Sequence, residues 1–310
     1  MPTGIQTNRT AVTLPTDLSQ EVMKIARGQS AIMQLARRTN LPGRGLSIPT
    51  ITGDPEASWV DETDAKPVKN PGVGMKVMKG YKLAVILPFS NEFRRDLSSL
   101  YDNIVARLPG ALAQKFDQTV IGAVDKPGDN FDNLAVATAQ SIIKSAGASE
   151  YDGLVAAYAD VSTAGGVVNG IALSPQAQGI LLAATDSTGR PLFVNSAADG
   201  AIPRILGVPT YAGRGVYKAG AAGEGSGTGA GTPAVVGIVG DWTQAEYGFA
   251  QDIEISFSDQ ATLTYLDASN QSVTINLWQR NMFAVRAECE VGFIANTAMF
   301  NLLTGAIPEA

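Results

Sequence analysis

Acidic side chains are the groups in this sequence best suited to acid–base chemistry, because the chain contains no histidine and only one cysteine. Asp252 and Glu254 alternate with isoleucines on a predicted strand, so both carboxylates should lie on its solvent-facing side. Asp61, Glu62 and Asp64 form a second acidic group. Neither spacing defines the carboxylate pair of a glycosidase. A carboxylate-dependent oligomeric enzyme is a distant alternative, which a loss of turnover in Asp252→Asn or Glu62→Gln would support.

Residue type and spacing exclude other catalytic chemistries. The single thiol, Cys289, has no histidine to act as its base, which excludes a Cys–His nucleophile and metal sites built from histidine and cysteine. The glycine-rich stretch at 219–233 lacks the spacings of phosphate-binding loops, and Ser226 lacks the Gly-x-Ser-x-Gly frame of a hydrolase. We therefore predict a flexible loop at 219–233, a buried Cys289, and no catalytic residue, cofactor or metal site.

The last quarter of the chain, residues 240–303, is rich in sheet-forming segments. It predicts a strand pair over GDWTQAEYGFAQDIEISFSDQ, a tight loop at 267–270, and a long returning strand with a short terminal helix over VTINLWQRNMFAVRAECEVGFIANTAMFNLL. Only 17% of the residues are charged, and a surface with so little charge favours association with copies of itself. The sequence therefore points to an architectural protein.

The preceding residues supply helices and further strands. A proline inside the longest helical pattern, Pro109, predicts a kink there, and Ser149 and Ser174 are predicted helix caps. The predicted elements are helices at 17–28, 97–120, 149–161 and 174–184, strands at 31–36, 46–51, 81–89, 170–173 and 235–239, and short strands within RPLFV and PRILGVPTYA.

Residues 52–80 form an excursion rich in proline and glycine, which predicts a long loop or a two-stranded projection rather than a helix. A loop of this length is uncommon in a compact domain unless it is disordered or binds something. It carries Trp59, and tryptophan is enriched where two chains meet. The predicted inter-subunit contact candidates are Trp59, Glu62, Lys66, Lys69, Lys76 and Lys79.

The net charge of −6 is unevenly distributed along the chain. Residues 1–46 carry six basic and two acidic side chains, whereas residues 146–270 carry twelve acidic and four basic ones. Such a chain pairs its two regions between subunits, turns its basic region toward a polyanion, or presents two solvated faces of opposite sign. No apolar run reaches the roughly 20 residues of a membrane span, and no signal peptide is expected.

The order of the segments resembles that of a known family. An amino-terminal arm, the excursion with WVDE and later lysines, and KLAVILPFSNEFRRD before the long helix form the first half. RPLF, ILGVPTYA, GDWTQAEYGFAQDIEISFSDQ and FAVRAECEVGFIANTAMFNLL form the second. Over nearly the whole chain, this order resembles the major capsid proteins of tailed double-stranded DNA bacteriophages, which have the Hong Kong 97 fold.

The resemblance implies an α+β fold with an N-terminal arm, an extended loop, a peripheral domain with a long spine helix, and an axial domain. It further implies that residues 262–274 form the loop at three-fold-like contacts. The implied ranges are an arm and short helix at 1–45, an extended loop at 46–85 with its excursion at about 52–80, a peripheral domain at 86–147 and 251–290, and an axial domain at 148–250 and 291–310.

The function that the resemblance implies is self-assembly, as pentamers and hexamers, into an icosahedral head shell around a phage genome. The implied partners are a scaffolding protein, a portal, a cement protein and packaged DNA bound without sequence preference, with no membrane. We expect assembly in the host bacterial cytoplasm and a final location in the virion. Because the arm begins at Met1, we expect the scaffold to be a separate protein. The lumen-facing basic candidates are Arg9, Lys24, Arg27, Arg37 and Arg38.

An alternative function has the same fold but a shell that encloses enzymes in place of a phage genome. An encapsulin-type bacterial nanocompartment uses a similar shell protein to hold enzyme cargo. Neighbouring genes discriminate between the two, since a terminase, portal and protease accompany a phage capsid and a peroxidase or ferritin-like cargo accompanies an encapsulin.

Overall fold

The structure is a computed structural model that describes residues 16–52, 59–60, 72–92, 98–143, 149–186, 188–193, 204–221, 232–266 and 269–305. The helices are α1 (Thr16–Gln29), α2 (Ala31–Leu35), α3 (Ser98–Val120), α4 (Glu150–Thr163) and α5 (Pro175–Ala183). The strands are β1 (Arg37–Asn40), β2 (Leu46–Thr52), β3 (Gly72–Met78), β4 (Tyr81–Ser90), β5 (Thr138–Ser141), β6 (Gly170–Leu173), β7 (Arg204–Ile205), β8 (Val208–Ala212), β9 (Ala234–Gly240), β10 (Ala245–Ser258), β11 (Thr262–Leu266), β12 (Ser272–Asn276), β13 (Met282–Ala295) and β14 (Phe300–Gly305).

A four-stranded sheet in the order β1-β10-β13-β4 is built on the two long strands of the last quarter. β10 and β13 run antiparallel over 14 residues each. Ile253 and Ile255 are buried whereas Asp252 and Glu254 are exposed, which confirms the predicted orientation of the two acidic side chains. The segment predicted as a strand pair forms instead the single long strand β10 after a one-turn 3-10 helix, and the predicted returning strand is divided into β12 and β13.

The main hydrophobic core lies between this sheet and the helices α1 and α3. Phe116 of α3 lies at its centre and packs edge-on against Phe131 and Phe293, with ring centroids 6.2 and 6.0 Å away. Edge-to-face contacts of this kind add to the stabilisation that burial of the rings provides. Helix α3 continues through Pro109, and the kink expected there stays a prediction.

A six-stranded sheet in the order β5-β14-β9-β6-β8-β7 forms the second part of the fold. All residues of β6, β9 and β14 are buried, because neighbouring strands flank them and helices such as α4 pack on the sheet. Helix α4 begins with the predicted cap Ser149, which forms a capping box with Asp152, and α5 begins with Ser174 as cap and Pro175 in its first turn. Both predicted helix starts are confirmed.

Several further sequence predictions were wrong, among them the short strand within RPLFV, where Pro191 forms only an isolated bridge with Thr185. Residues 31–35 form the short helix α2 rather than a strand, because Ser30 accepts a hydrogen bond from the backbone N–H of Met33 and caps it. The predicted terminal helix is instead a one-turn 3-10 helix followed by strand β14. β14 is extended because it pairs with β9 on one side and β5 on the other. Short buried apolar runs do not distinguish a strand from a helix by periodicity.

A buried carboxylate joins α2 to the long helix α3. Asp117 accepts hydrogen bonds from the Ser30 hydroxyl at 2.5 Å and from the backbone N–H of Ala31 at 3.1 Å. Gly215 allows this close packing, since a Cβ at that position would lie 2.5 Å from the Cβ of Asp117. Burial raises the pKa of Asp117 to about 7, even though its hydrogen bonds act in the opposite direction.

The raised pKa of Asp117 predicts that this residue makes the subunit less stable as pH rises. Its contribution to stability is complete below the unfolded pKa of 3.8 and is lost as pH rises through about 7. We expect the free energy of unfolding to fall by about 1 kcal/mol per pH unit over this interval through Asp117 alone. Urea denaturation of the unassembled subunit between pH 5 and 8 measures this, and Asp117→Asn removes the slope.

The control for this experiment is Asp125→Asn, which changes an exposed aspartate and should leave the slope intact. A difference between wild type and Asp117→Asn that stays constant with pH would contradict the prediction.

Candidate functional site

The excursion at 52–80 begins and ends as a two-stranded ribbon. β2 and β3 pair antiparallel, from Leu46 opposite Met78 to Thr52 opposite Gly72, as a sheet of their own. Of the two predicted forms, the two-stranded projection is therefore the one present at the base. The segments 53–58 and 61–71 lie outside the described residues.

One face of the ribbon packs on the body of the chain. Met78 is buried against Leu41 and Ile294, and the half-buried Leu46 and Ile48 pack against the same cluster. Because side chains alternate along a strand, Met75 and Val77 lie on the opposite face. Met75 is 73% exposed and Val77 is also exposed, so the described part of this second face presents two apolar side chains to solvent, with the exposed Ser47 opposite Val77.

An ion pair holds the base of the ribbon to the end of β13. The Lys76 ammonium contacts the Asp132 carboxylate and donates a hydrogen bond to the Ala295 carbonyl at 2.8 Å. The same carboxylate accepts a hydrogen bond from the Ala295 N–H at 3.0 Å. This Lys76–Asp132–Ala295 clamp fixes the direction in which the ribbon leaves the sheet. Lys76 is therefore used within its own chain, unlike its predicted role as a contact to a neighbour.

Close backbone packing supports the same junction. A Cβ at Gly292 would lie 2.5 Å from the carbonyl oxygen of Lys79 and 2.9 Å from the Met78 side chain, so only glycine fits here. Gly45, at the start of β2, has a φ of 89°, a conformation that favours glycine. The ribbon base is thus held by packing, charge and backbone geometry together.

Large apolar side chains are exposed at two projecting segments. Trp59 is fully exposed, with Val60 beside it. The antiparallel hairpin β11–β12 exposes Tyr265 and Leu266, and Trp278 just after it is 71% exposed. Sequence reasoning identified Trp59 but not Trp278 or Met75, although a tryptophan in the polar stretch after β12 was an available signal.

The basic candidates differ in their surroundings. Lys24 and Arg38 are exposed, whereas Arg37 forms an ion pair with Glu246 of β10 and is used within the chain. Arg27 is half-buried, and its Nε has no hydrogen-bond partner. Arg9, together with the contact candidates Glu62, Lys66 and Lys69, lies outside the described residues. Lys79 is exposed at the end of the ribbon.

The described residues offer little for catalysis. Burial, with a smaller effect of Asp252 and Glu288, raises the pKa of Cys289 to about 12, so its thiolate is scarce at neutral pH. Within the described ranges, no cluster of cysteine and acidic side chains is arranged to hold a metal ion. Over the same ranges, none of the helices combines the length and apolar character that crossing a bilayer requires.

Solved structures with the same architecture include chains from two phages and from a GTA particle. A chain from Gordonia phage Cozz superposes with a TM-score of 0.68 and 25% identity, covering 90% of this chain and 87% of the other. A chain from Mycobacterium phage Adephagia gives a TM-score of 0.66 and 24% identity, with 91% of both chains covered. A third, described as the capsid of an empty GTA particle computed with C5 symmetry, has a TM-score of 0.59 and 15% identity. The fold is that of the Hong Kong 97-like capsid proteins.

Sequence comparison gives the same result. The chain is 29% identical over 297 residues to a "Probable major capsid protein gp17" of Mycobacterium phage L5, covering 91% of this chain and 86% of the relative. A protein of the same name from Mycobacterium phage D29 is 28% identical over 302 residues. The model of the phage capsid family matches residues 10–298, and the chain belongs to that family.

Replacing Lys76 tests the clamp. Lys76→Met keeps the length of the side chain but removes the charge, which leaves Asp132 without its ion pair. Since both groups are partly exposed, we expect a loss of only about 1 kcal/mol in the free energy of unfolding. The larger effect is local: amide hydrogen exchange in β3 becomes faster relative to β10. Lys24→Met, an exposed lysine on α1, is the matched control. Unchanged exchange in β3 would argue against the clamp.

Proposed function

We propose that this chain is the major capsid protein of a tailed double-stranded DNA phage and assembles with copies of itself into the icosahedral head shell. The observation that carries the proposal is the family match across residues 10–298, supported by relatives described as probable major capsid proteins. The fivefold symmetry stated for the GTA capsid, whose fold is the same, supports assembly through rings of subunits. Pentamers and hexamers are the rings that such a shell requires.

The exposed ribbon is the proposed contact between neighbours. Met75 and Val77 form an apolar face that a second subunit would cover, and Trp59 extends the same projection. Exposed aromatic residues of this kind commonly contribute most to binding at an interface. Lys66, Lys69, Lys79 and Glu62 remain candidates for polar contacts at its edge. Lys76 is not among them, because the clamp uses its ammonium group.

The two sheets suit the two proposed domains. The four-stranded sheet with α3 as spine helix corresponds to the peripheral domain, and the six-stranded sheet with α4 and α5 to the axial domain. The predicted boundaries between the peripheral and axial domains at 251 and 291 fall inside β10 and β13, which belong to the four-stranded sheet. We therefore place these domain boundaries at the ends of the two strands. The hairpin β11–β12 is the proposed three-fold-like contact.

The inner surface and the further partners follow from the same proposal. Lys24 and Arg38 are exposed cations that suit non-specific contact with DNA phosphates. A scaffolding protein, a portal and a cement protein are the proposed partners, the host cytoplasm the site of assembly, and the virion the final location. We propose a structural role without catalysis. No observation on the described residues favours the encapsulin or carboxylate-enzyme alternatives.

Assembly with and without Trp59 tests the proposal. Wild-type protein expressed with its scaffolding protein should give closed particles by electron microscopy and rapid sedimentation. Trp59→Ala should leave the circular dichroism and thermal unfolding of the subunit unchanged, because the side chain is fully exposed, yet strongly reduce particle yield. Val167→Ala, which truncates another exposed side chain, should assemble normally. A wild-type chain that stays monomeric with scaffold under all conditions would overturn the proposed function.

A further inference from the structure

The sequence contains one asparagine that is followed by glycine, Asn169, and the glycine is the first residue of β6. An asparagine in this position is prone to deamidation, because Gly170 has no side chain to hinder attack by its own backbone nitrogen. Asn169 is half-buried and Gly170 is buried. The contacts proposed between subunits do not use this pair.

Deamidation of such a pair is a reaction with water. The backbone nitrogen of Gly170 gives its proton to a solvent base and attacks Cγ of Asn169, so that a new C–N bond closes a succinimide ring. The bond from Cγ to Nδ2 breaks, and Nδ2 takes up a proton and leaves as ammonia. Water then opens the ring at either carbonyl carbon, which gives aspartate or isoaspartate. The attack requires the side-chain amide of Asn169 to turn until its Cγ faces the Gly170 nitrogen.

Two hydrogen bonds hold the side-chain amide of Asn169 in one orientation. Its Nδ2 donates to Oδ1 of Asp241 at 3.2 Å, and its Oδ1 accepts from the backbone N–H of Trp242 at 2.9 Å. The amide is thus occupied both as a donor and as an acceptor. Rotation of the amide toward Gly170 breaks these bonds and is therefore opposed by the fold.

The Asp241 carboxylate is fixed in turn by its own contacts. Its Oδ1 accepts from the backbone N–H and the hydroxyl of Thr243 at 3.0 and 2.5 Å, and its Oδ2 accepts from the N–H of Val167 at 3.3 Å. Its negative charge also opposes the negative charge that develops on Oδ1 of Asn169 during the attack. The Trp242 N–H would stabilise that charge, so the protection depends on Asp241.

The packing around the pair explains why a reactive dipeptide occurs here. A Cβ at Gly170 would lie 2.4 Å from Cδ2 of Leu35 and 2.8 Å from Cδ1 of Trp242. The Trp242 ring is held in place, since its Nε1 donates to the Gly170 carbonyl oxygen at 2.9 Å and the ring packs edge-on against Phe300. Position 170 therefore requires glycine, and position 169 requires a side chain that both donates and accepts hydrogen bonds.

We propose that Asn169 is a deamidation site and that the Asp241 carboxylate keeps it unreactive in the folded subunit. A chain in which the contact between the start of β6 and residues 241–243 opens loses this protection and is modified irreversibly. The product carries a carboxylate where Asp241 accepted a hydrogen bond, and the two negative charges repel each other. Deamidation therefore marks subunits that have opened at this contact. Assembly is not needed for the protection, because every group involved belongs to one chain.

Mass spectrometry of the peptide that contains Asn169 measures the reaction. Folded wild-type protein at mildly alkaline pH should stay unmodified at Asn169, whereas the same protein in urea should be deamidated there. Asp241→Ala should raise the rate in the folded protein roughly 10- to 100-fold, because it removes a hydrogen bond to a charged group. Asp241→Asn, whose side-chain oxygen still accepts a hydrogen bond, should give a smaller increase and decides the outcome if the alanine variant does not fold.

The matched control is Asp152→Ala, which removes the capping carboxylate of α4 and leaves the contacts of Asn169 in place. It should deamidate at the wild-type rate, and circular dichroism shows which variants are folded. Equal rates in folded and urea-unfolded wild type would overturn the proposal. A wild-type rate in the folded Asp241 variants would do the same, as would an equal increase in Asp152→Ala, since loss of stability would then explain the reaction.

The effect of the modification is tested with Asn169→Asp, which mimics one product. It should lower the temperature of thermal unfolding, because two carboxylates then face each other at the start of β6. Asn40→Asp, which changes an exposed asparagine on β1, is the control and should have little effect. An unchanged unfolding temperature in Asn169→Asp would contradict the inference that modified chains stay open at this contact.

Discussion

The anchoring of one face of the β2–β3 ribbon is the constraint on which the rest of the structure depends. A two-stranded hairpin is marginally stable by itself in water. Here its base is packed on Leu41 and Ile294 and clamped through Lys76 and Asp132, while the opposite face exposes Met75 and Val77. The body therefore fixes the direction of the ribbon but leaves Met75 and Val77 exposed to solvent. A second chain is the natural source of the missing contacts.

A rigid body is needed for a projecting segment to reach a defined place on a neighbour. The aromatic core around Phe116 fixes α3 to the four-stranded sheet, and Asp117, one residue later, fixes α2 to the same helix. Burying a carboxylate costs free energy, as its raised pKa indicates. The structure accepts this cost in a contact that ties the amino-terminal elements to the spine helix.

Helices and strands that depend on local sequence signals were predicted, whereas strands that depend on pairing with distant segments were missed. Alternation gave β10 and β13, and the Ser149 and Ser174 caps gave two helix starts. The polar strands β1 and β5 were missed, because pairing with β10 and β14 makes them extended. In the candidate site, residue type marked Trp59. The exposed face of the ribbon and the clamp required knowledge of which segments pack together in space.

The size of each contact explains why such a chain forms closed assemblies rather than dimers. Burying a tryptophan removes about 150–250 Å² from water, which stabilises by roughly 4–6 kcal/mol at about 25 cal/mol per Å². Association costs about 4–15 kcal/mol in lost translational and rotational freedom, so one Trp59 contact does not hold two subunits together. A subunit that joins a ring or shell loses that freedom once, whereas it gains contacts with more than one neighbour. Closed assemblies are then favoured over isolated pairs, since several contacts together offset a cost that a single contact does not.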